Sequence, residues 1–262
     1  MTNDDQQQFQ QECRSEIALQ GTDAKLKRLT LDWVLAAAKH KYSYHFEWLG
    51  RPIIQHPQDI VGLQQLLWAV QPDLVIETGI ARGGSLIFSA SILELIAQCG
   101  GNPGGRVVGV DIEIREHNRR AILEHPMSRR IDMIEGSSIS AATHAAVVEK
   151  AKGRSKIMVL LDSNHTHEHV LSELELYAPL VSVGSYCVVY DTIIADMPAD
   201  AFPDRPWTRE RNPKSAVHAY LQQLGATGGK GADGGDLVFE IDKAAEDLLL
   251  ITVAPDGFLR RV

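Results

Sequence analysis

Residues 73–97, DLVIETGIARGGSLIFSASILELIA, read as a β-strand, a glycine-rich turn and a helix. The apolar run Leu74–Ile76 closes on Glu77, Gly79 breaks it, and from Ser85 the apolar residues recur at helical spacing to about Ala97. The same alternation spreads outward from this unit. Short apolar runs stand at 106–111 (RVVGVD), 131–136 (IDMIEG), 156–162 (KIMVLLD) and 185–191 (SYCVVYD). Helical patterns stand at 59–70, 115–124, 140–152 and 167–178. Strands alternating with helices call for a parallel sheet covered on both faces, and right-handed crossovers leave a doubly wound α/β fold.

Toward the C-terminus the pattern changes. Residues 195–212 read as a long loop rich in Pro, Asp and Arg, and Asn212-Pro213 caps and opens a helix to about Leu224. The stretch 225–236, GATGGKGADGGD, has the composition of a flexible surface excursion. LLLITVAP-DG-FLRRV (248–262) predicts a terminal β-hairpin about a Pro-Asp-Gly turn. A parallel sheet ending in an antiparallel hairpin resembles the Rossmann-like sheet of class I methyltransferases.

Ahead of the repeating units, Phe9, Cys13 and Ile17 mark a marginal amphipathic helix, and residues 30–40 a firmer one with Thr30 as its cap. Tyr42, Tyr44, Phe46 and Trp48 alternate as in a strand or an extended arm, which either packs on the main domain or walls a substrate pocket. The expected organisation is an N-terminal helical and aromatic extension, 1–57, and a catalytic domain, 58–262.

The 262 residues are 44% apolar with a net charge of −8, enough for one sizeable core and poorly suited to non-specific nucleic-acid binding. Cys13, Cys99 and Cys187 show no metal or disulfide spacing. The opening MTNDDQQQFQQE is unlike a signal peptide, and no apolar run reaches the ~18 residues of a membrane span. A cytoplasmic protein is expected.

Ligands of open parallel sheets sit beyond the carboxyl ends of the strands, where strand order reverses. At the first such end stand Glu77, Gly79, Ala81, Gly83, Gly84 and Ser85. Glycines let backbone approach a ligand, the next helix offers free N–H groups to a carboxylate, and Glu77 suits an ammonium. Methionine-type cofactors carry both groups; a glycine turn without a ligand is the alternative. Asp111, ending the second strand, fits the two ribose hydroxyls of an adenosine, or else caps a helix. Ser137 and Ser138 follow the third strand, beside the adenine or as helix caps.

The fourth strand ends in LLDSNHTHEHV (160–170). Asp162 lies where the sulfonium and the acceptor hydroxyl would meet. His165, three residues on, has a side chain suited to removing the acceptor proton. His167 and His169 fall on the following helix and read as structural. Asp162 and Asp191, at neighbouring strand ends, could share a hard cation such as Mg²⁺.

These residues carry a family resemblance. ETGIARGGS, VVGVDIEIREHN, LLDSNHTHEHVLSELELYAPLV, GSYCVVYDT, RNPKSAV and ITVAPDGFLRRV are similar to the cephalosporin hydroxylase/rhamnosyl O-methyltransferase family, from about Trp48 to the C-terminus. The resemblance implies an S-adenosylmethionine-dependent O-methyltransferase acting on a sugar or other small hydroxylated acceptor, as a homo-oligomer. It implies that 77–85 bind the methionine part, Asp111 the ribose, and Asp162 and Asp191 a divalent metal, with His165 as the catalytic base. One departure weakens the implied metal site: its metal-binding members have an acidic residue where Tyr190 stands. Three other readings compete. A non-haem iron hydroxylase using the HTHEH histidines would be expected on an all-β fold. An NAD-binding protein would need the second Gly of G-x-G-x-x-G. A non-catalytic nucleotide-binding module is the third.

Overall fold

The computed structural model describes residues 3–201 and 203–262. Helices α1 (Asn3–Thr22) and α2 (Ala24–Ala38) lead into a short hairpin of β1 (Phe46–Trp48) and β2 (Arg51–Ile53). The repeating units follow: α3 (Pro57–Val70), β3 (Leu74–Thr78), α4 (Gly84–Gln98), β4 (Arg106–Asp111), α5 (Glu116–Leu123), β5 (Ile131–Glu135) and α6 (Ala141–Ala151). Next come β6 (Ile157–Leu161), α7 (His167–Tyr177), β7 (Tyr186–Val189), α8 (Pro213–Thr227), β8 (Phe239–Ile241), α9 (Lys243–Leu249) and β9 (Phe258–Arg261).

Strands β3 to β9 form one seven-stranded sheet in the order β5-β4-β3-β6-β7-β9-β8, parallel except for the pairings of β9 with β7 and β8. This is the doubly wound α/β fold that the alternating runs predict. Each central strand is buried on both faces and its residues alternate between two cores. Val75, Val107, Met158 and Leu160 join α3 and α4 on one side. Ile76, Val108, Val159 and Leu161 join α6, α7 and α8 on the other. Strand order reverses between β3 and β6, so the crevice opens beside Glu77 and Asp162.

Three local expectations are corrected. The second helix begins at Ala24, not near 30. Asp23 caps it by accepting from the Leu26 N–H (2.9 Å), while the Thr30 hydroxyl donates to the Lys27 carbonyl inside the helix. The antiparallel C-terminal pair exists, but its first strand is Phe239–Ile241. LLLITV instead supplies the end of α9 and an irregular segment that crosses back to Asp59. The glycine-rich 225–236 stretch is also tied down: Lys230 pairs with Asp236, and the buried Arg261 guanidinium reaches Asp233 (2.8 Å). Composition showed its glycines but not these long-range anchors.

Other local signals hold. Asn212 and Ser215 cap α8 reciprocally around Pro213. The aromatic alternation from Tyr42 resolves into a 3₁₀ turn and the β1–β2 hairpin, with Trp48 edge-on to Phe88 of α4 at 4.8 Å. Among the described residues no helix is long and apolar enough to cross a membrane.

Candidate active site

The turn after β3 is held by its own strand ends. Gly79 has φ +95°, and a Cβ there would lie 2.2 Å from the Asp162 carbonyl oxygen, so the loop passes against β6 only because this residue has no side chain. Asp111, at the end of β4, accepts from the N–H groups of Ile80 (2.9 Å) and Ala81 (3.1 Å) through Oδ2, and from Glu113 (3.2 Å) through Oδ1. The second-strand acid therefore fixes the glycine loop of the first. Gly83 and Gly84 complete the turn into α4, where Gly84 packs on the Pro52 carbonyl of the hairpin.

Glu77 is 2% exposed beneath this loop. Its Oε1 accepts from the Ser85 hydroxyl, while Oε2 is buried and receives no hydrogen bond from the described residues. Burial raises its pKa to about 7, against the lowering effect of Ser85. Pro52, Gln55, Gly79, Arg82, Ser85 and Asp162 enclose a cleft of about 50 Å³, and Glu77 lines a neighbouring buried space that shares Gln55, Ser85 and Asp162 with it. The donor set fits a ligand with an ammonium and a carboxylate. The volume is far below the ~300–1,000 Å³ of small-molecule sites, because the hairpin segment roofs it. Beyond the end of β4, Asp111 is half-buried and Ile112 is 75% exposed.

Across the switch point, Asp162, His165 and Asp191 place ligand atoms within 4.8 Å of one another. His165 Nε2 lies 3.1 Å from Asp191 Oδ2, and its ring meets Trp207 edge-on at 4.8 Å. Asp191 holds a left-handed backbone (φ 56°) at the end of β7. Asp162 Oδ2 accepts from Gln55 Nε2 (3.2 Å). Burial, then the charges of Asp191, Glu77, Glu173 and Asp59, hold the Asp162 carboxyl well above the usual carboxylate range. Tyr190 is buried and stays a neutral phenol, pushed up by burial and by Asp59, Asp162 and Glu77. It adds no charged ligand to the trio.

The hydroxyl of Ser138 and the neighbouring histidines have partners within the fold. The Ser138 hydroxyl lies 3.0 Å from His169, whose Nε2 also faces Ser163 (3.2 Å) and buried Glu173 (3.5 Å). Ser140 caps α6, and Ser137 is half-buried, its carbonyl accepting from the Ser140 N–H (3.0 Å). His167 Nδ1 meets Ser215 of the α8 cap at 2.8 Å.

Sequence reading missed Asp59 and His56. Asp59, 3% exposed in the first turn of α3, accepts from the Thr252 hydroxyl (2.5 Å) and the Val253 N–H (3.1 Å). Burial raises its pKa to about 7, with Asp191 adding and the two hydrogen bonds opposing. Burial lowers that of His56, with the Asp191 charge opposing. The sequence signal at Asp59 was that of an ordinary first-turn acid; its partners lie some 190 residues away.

Comparison with known proteins gives consistent matches. A family model for rhamnosyl O-methyltransferase/CmcI matches residues 40–262. A rhamnosyl O-methyltransferase of Mycobacterium leprae is 30% identical over 218 residues, 82% of each chain. One from Mycobacterium tuberculosis is 31% identical over 208 residues, 78% of this chain and 73% of the relative. A solved structure of CmcI, described as a Mg-SAM form, superposes with a TM-score of 0.54 at 17% identity, covering 84% of this chain and 77% of the other. At that identity the likeness bears on the fold.

Proposed function

The chain belongs to the rhamnosyl O-methyltransferase/CmcI family and is an O-methyltransferase, and from that premise we propose that it methylates a hydroxyl of a rhamnose-type glycoside with S-adenosylmethionine as donor. The observation that carries this reading is the cluster of carboxyl groups around the ends of β3, β6 and β7, formed by Glu77, Asp162 and Asp191 with Asp59 of α3. Glu77, Asp162 and Asp59 are all raised in pKa, and Glu77 Oε2 is buried with no hydrogen bond from the described residues. Such a site gains from a cationic ligand. S-adenosylmethionine, when bound, supplies an electrophilic methyl group on a sulfonium.

Glu77 faces the ammonium, the α4 N-terminus takes the carboxylate, and Gly79, Ala81, Gly83, Gly84 and Ser85 shape the turn around them. Asp111 has lone pairs left for the ribose, Ile112 offers apolar surface to the adenine, and Ser137 and Ser138 flank it. For the methionine part to enter, the cleft lined by Pro52 and Gln55 would have to widen.

His165 is the base. With Nε2 turned to Asp191, its Nδ1 is left to take the acceptor proton, and Asp191 stabilises the imidazolium that results. Trp207 and the 203–212 segment wall the acceptor side. Asp162 and Asp191 would hold a Mg²⁺ ion through carboxylate oxygens, and its charge, when bound, would acidify the acceptor hydroxyl.

The test is transfer of labelled methyl from S-adenosylmethionine to methyl α-L-rhamnoside, with Mg²⁺ and with a chelator. Methylated sugar supports the proposal. Cofactor binding without methyl transfer to this glycoside would refute the acceptor assignment.

A further inference from the structure

β5 and β6 are not neighbours in the sheet: β4 and β3 lie between them, so the sheet itself does not join the loop after β5 to the loop after β6. A side-chain bridge from α7 joins them instead. His169 and Glu173 stand one turn apart near the start of that helix. His169 Nε2 lies 3.0 Å from the Ser138 hydroxyl, in the loop after β5, and 3.2 Å from the Ser163 hydroxyl, next to Asp162 in the loop after β6. Glu173 is wholly buried; its Oε1 accepts from Ser163 (2.7 Å) and lies 3.5 Å from the same imidazole nitrogen. One further turn along α7, the Tyr177 hydroxyl donates to the Ser138 carbonyl (2.6 Å).

Counting hydrogens fixes the tautomer. Ser163 has one hydroxyl hydrogen and gives it to Glu173, so toward His169 it can only accept. Nε2 therefore carries the imidazole proton, and Ser138 accepts from it as well. One N–H is thus shared between two loops that the sheet leaves apart, and a buried carboxyl group holds the serine on one side of it.

We propose that His169, seated on Glu173, is a positioning residue: it locks the loop that carries Asp162 and His165 to the loop that flanks the cofactor's adenine. The inference rests on the cofactor reading above and extends it, because the adenine side of the crevice and the proton-accepting imidazole then keep a fixed separation. A misplacement of about 1 Å in such a geometry costs on the order of a hundredfold in rate.

The experiment measures S-adenosylhomocysteine affinity by calorimetry and methyl transfer at saturating cofactor, in wild type, His169→Ala, His169→Gln, Ser163→Ala and the His169→Ala/Ser163→Ala double variant. His169→Ala should weaken affinity by a few-fold to about tenfold, the net worth of one hydrogen bond, and lower turnover by roughly ten- to a hundredfold. A glutamine amide can donate from close to the place of Nε2, so His169→Gln should restore most of both. Ser163→Ala should act in the same direction, and the double variant should lose less than the two single losses combined, since both changes cut one link. Thermal melts separate loss of fold from loss of position, and Ser163→Ala decides alone if His169→Ala does not fold. Wild-type affinity or wild-type turnover in folded His169→Ala overturns the proposal, as does a His169→Gln protein no better than His169→Ala. If wild type methylates no rhamnoside, the affinities decide. Failure of wild type to bind S-adenosylhomocysteine would refute the cofactor reading and this inference with it, whereas binding that the variants leave unchanged refutes this inference alone.

Discussion

Replacing Asp59 by Asn isolates the cost of one buried acid. The carboxyl is 3% exposed and its pKa rises from 3.8 to about 7 on folding. Below the unfolded value both states are protonated and the group has no effect. Between 3.8 and about 7 the unfolded chain loses the proton that the folded chain keeps, so stability falls as pH rises, by ~1.4 kcal/mol per unit. Above about 7 the full penalty, ~4 kcal/mol, is present and constant. Asn retains the shape, and the Thr252 hydroxyl can turn to accept from its amide. Denaturant unfolding of both proteins at several pH values measures the difference. The variant should gain ~3 kcal/mol on wild type between about pH 5 and about pH 8. Other titrating groups, Glu77 among them, largely cancel in that comparison. Parallel stability curves would refute the reasoning and show that Asp59 is ionised in the fold at little cost.

Three further outcomes are expected. His165→Ala should lower turnover by roughly two to four orders of magnitude, the loss typical of a general base, with the affinity for S-adenosylhomocysteine unchanged; wild-type turnover would remove His165 from the chemistry. Glu77, at about 7 without ligand, must ionise to hold an ammonium, so cofactor affinity should fall on the order of tenfold per pH unit below that value. Calorimetry across pH should find this slope in wild type and a flat, weaker profile in Glu77→Gln. Gly79→Ala would press a methyl against the Asp162 carbonyl at φ +95° and should destabilise the chain by at least ~1–3 kcal/mol, read from denaturant unfolding.

The sheet was legible because its central strands are buried on both faces and read as short apolar runs between helical patterns, whereas the strand order, and with it the switch point, emerges only in the fold. Glu77, Asp111, Asp162 and Asp191 could be picked out because strand ends are where this fold puts its ligands. What escaped was long-range. The carboxylate of Asp59 looks like a helix-start residue until Thr252 folds over it. LLLITV has the composition of a strand, yet α9 ends within it and its remainder bends toward α3. The double use of Asp111, as a tie for the glycine loop and a candidate ribose ligand, depends on backbone N–H directions that side-chain identity does not encode. The narrowness of the cleft, likewise, comes from a hairpin whose aromatic alternation announced an arm but not where it would lie.

Titrating the purified chain with S-adenosylhomocysteine, and separately with NADH, tests most directly whether the crevice at β3 and β4 receives a methionine-derived nucleoside. Saturable binding of S-adenosylhomocysteine, one per chain, with no heat from NADH is the predicted result. Binding of NADH without binding of S-adenosylhomocysteine would contradict it.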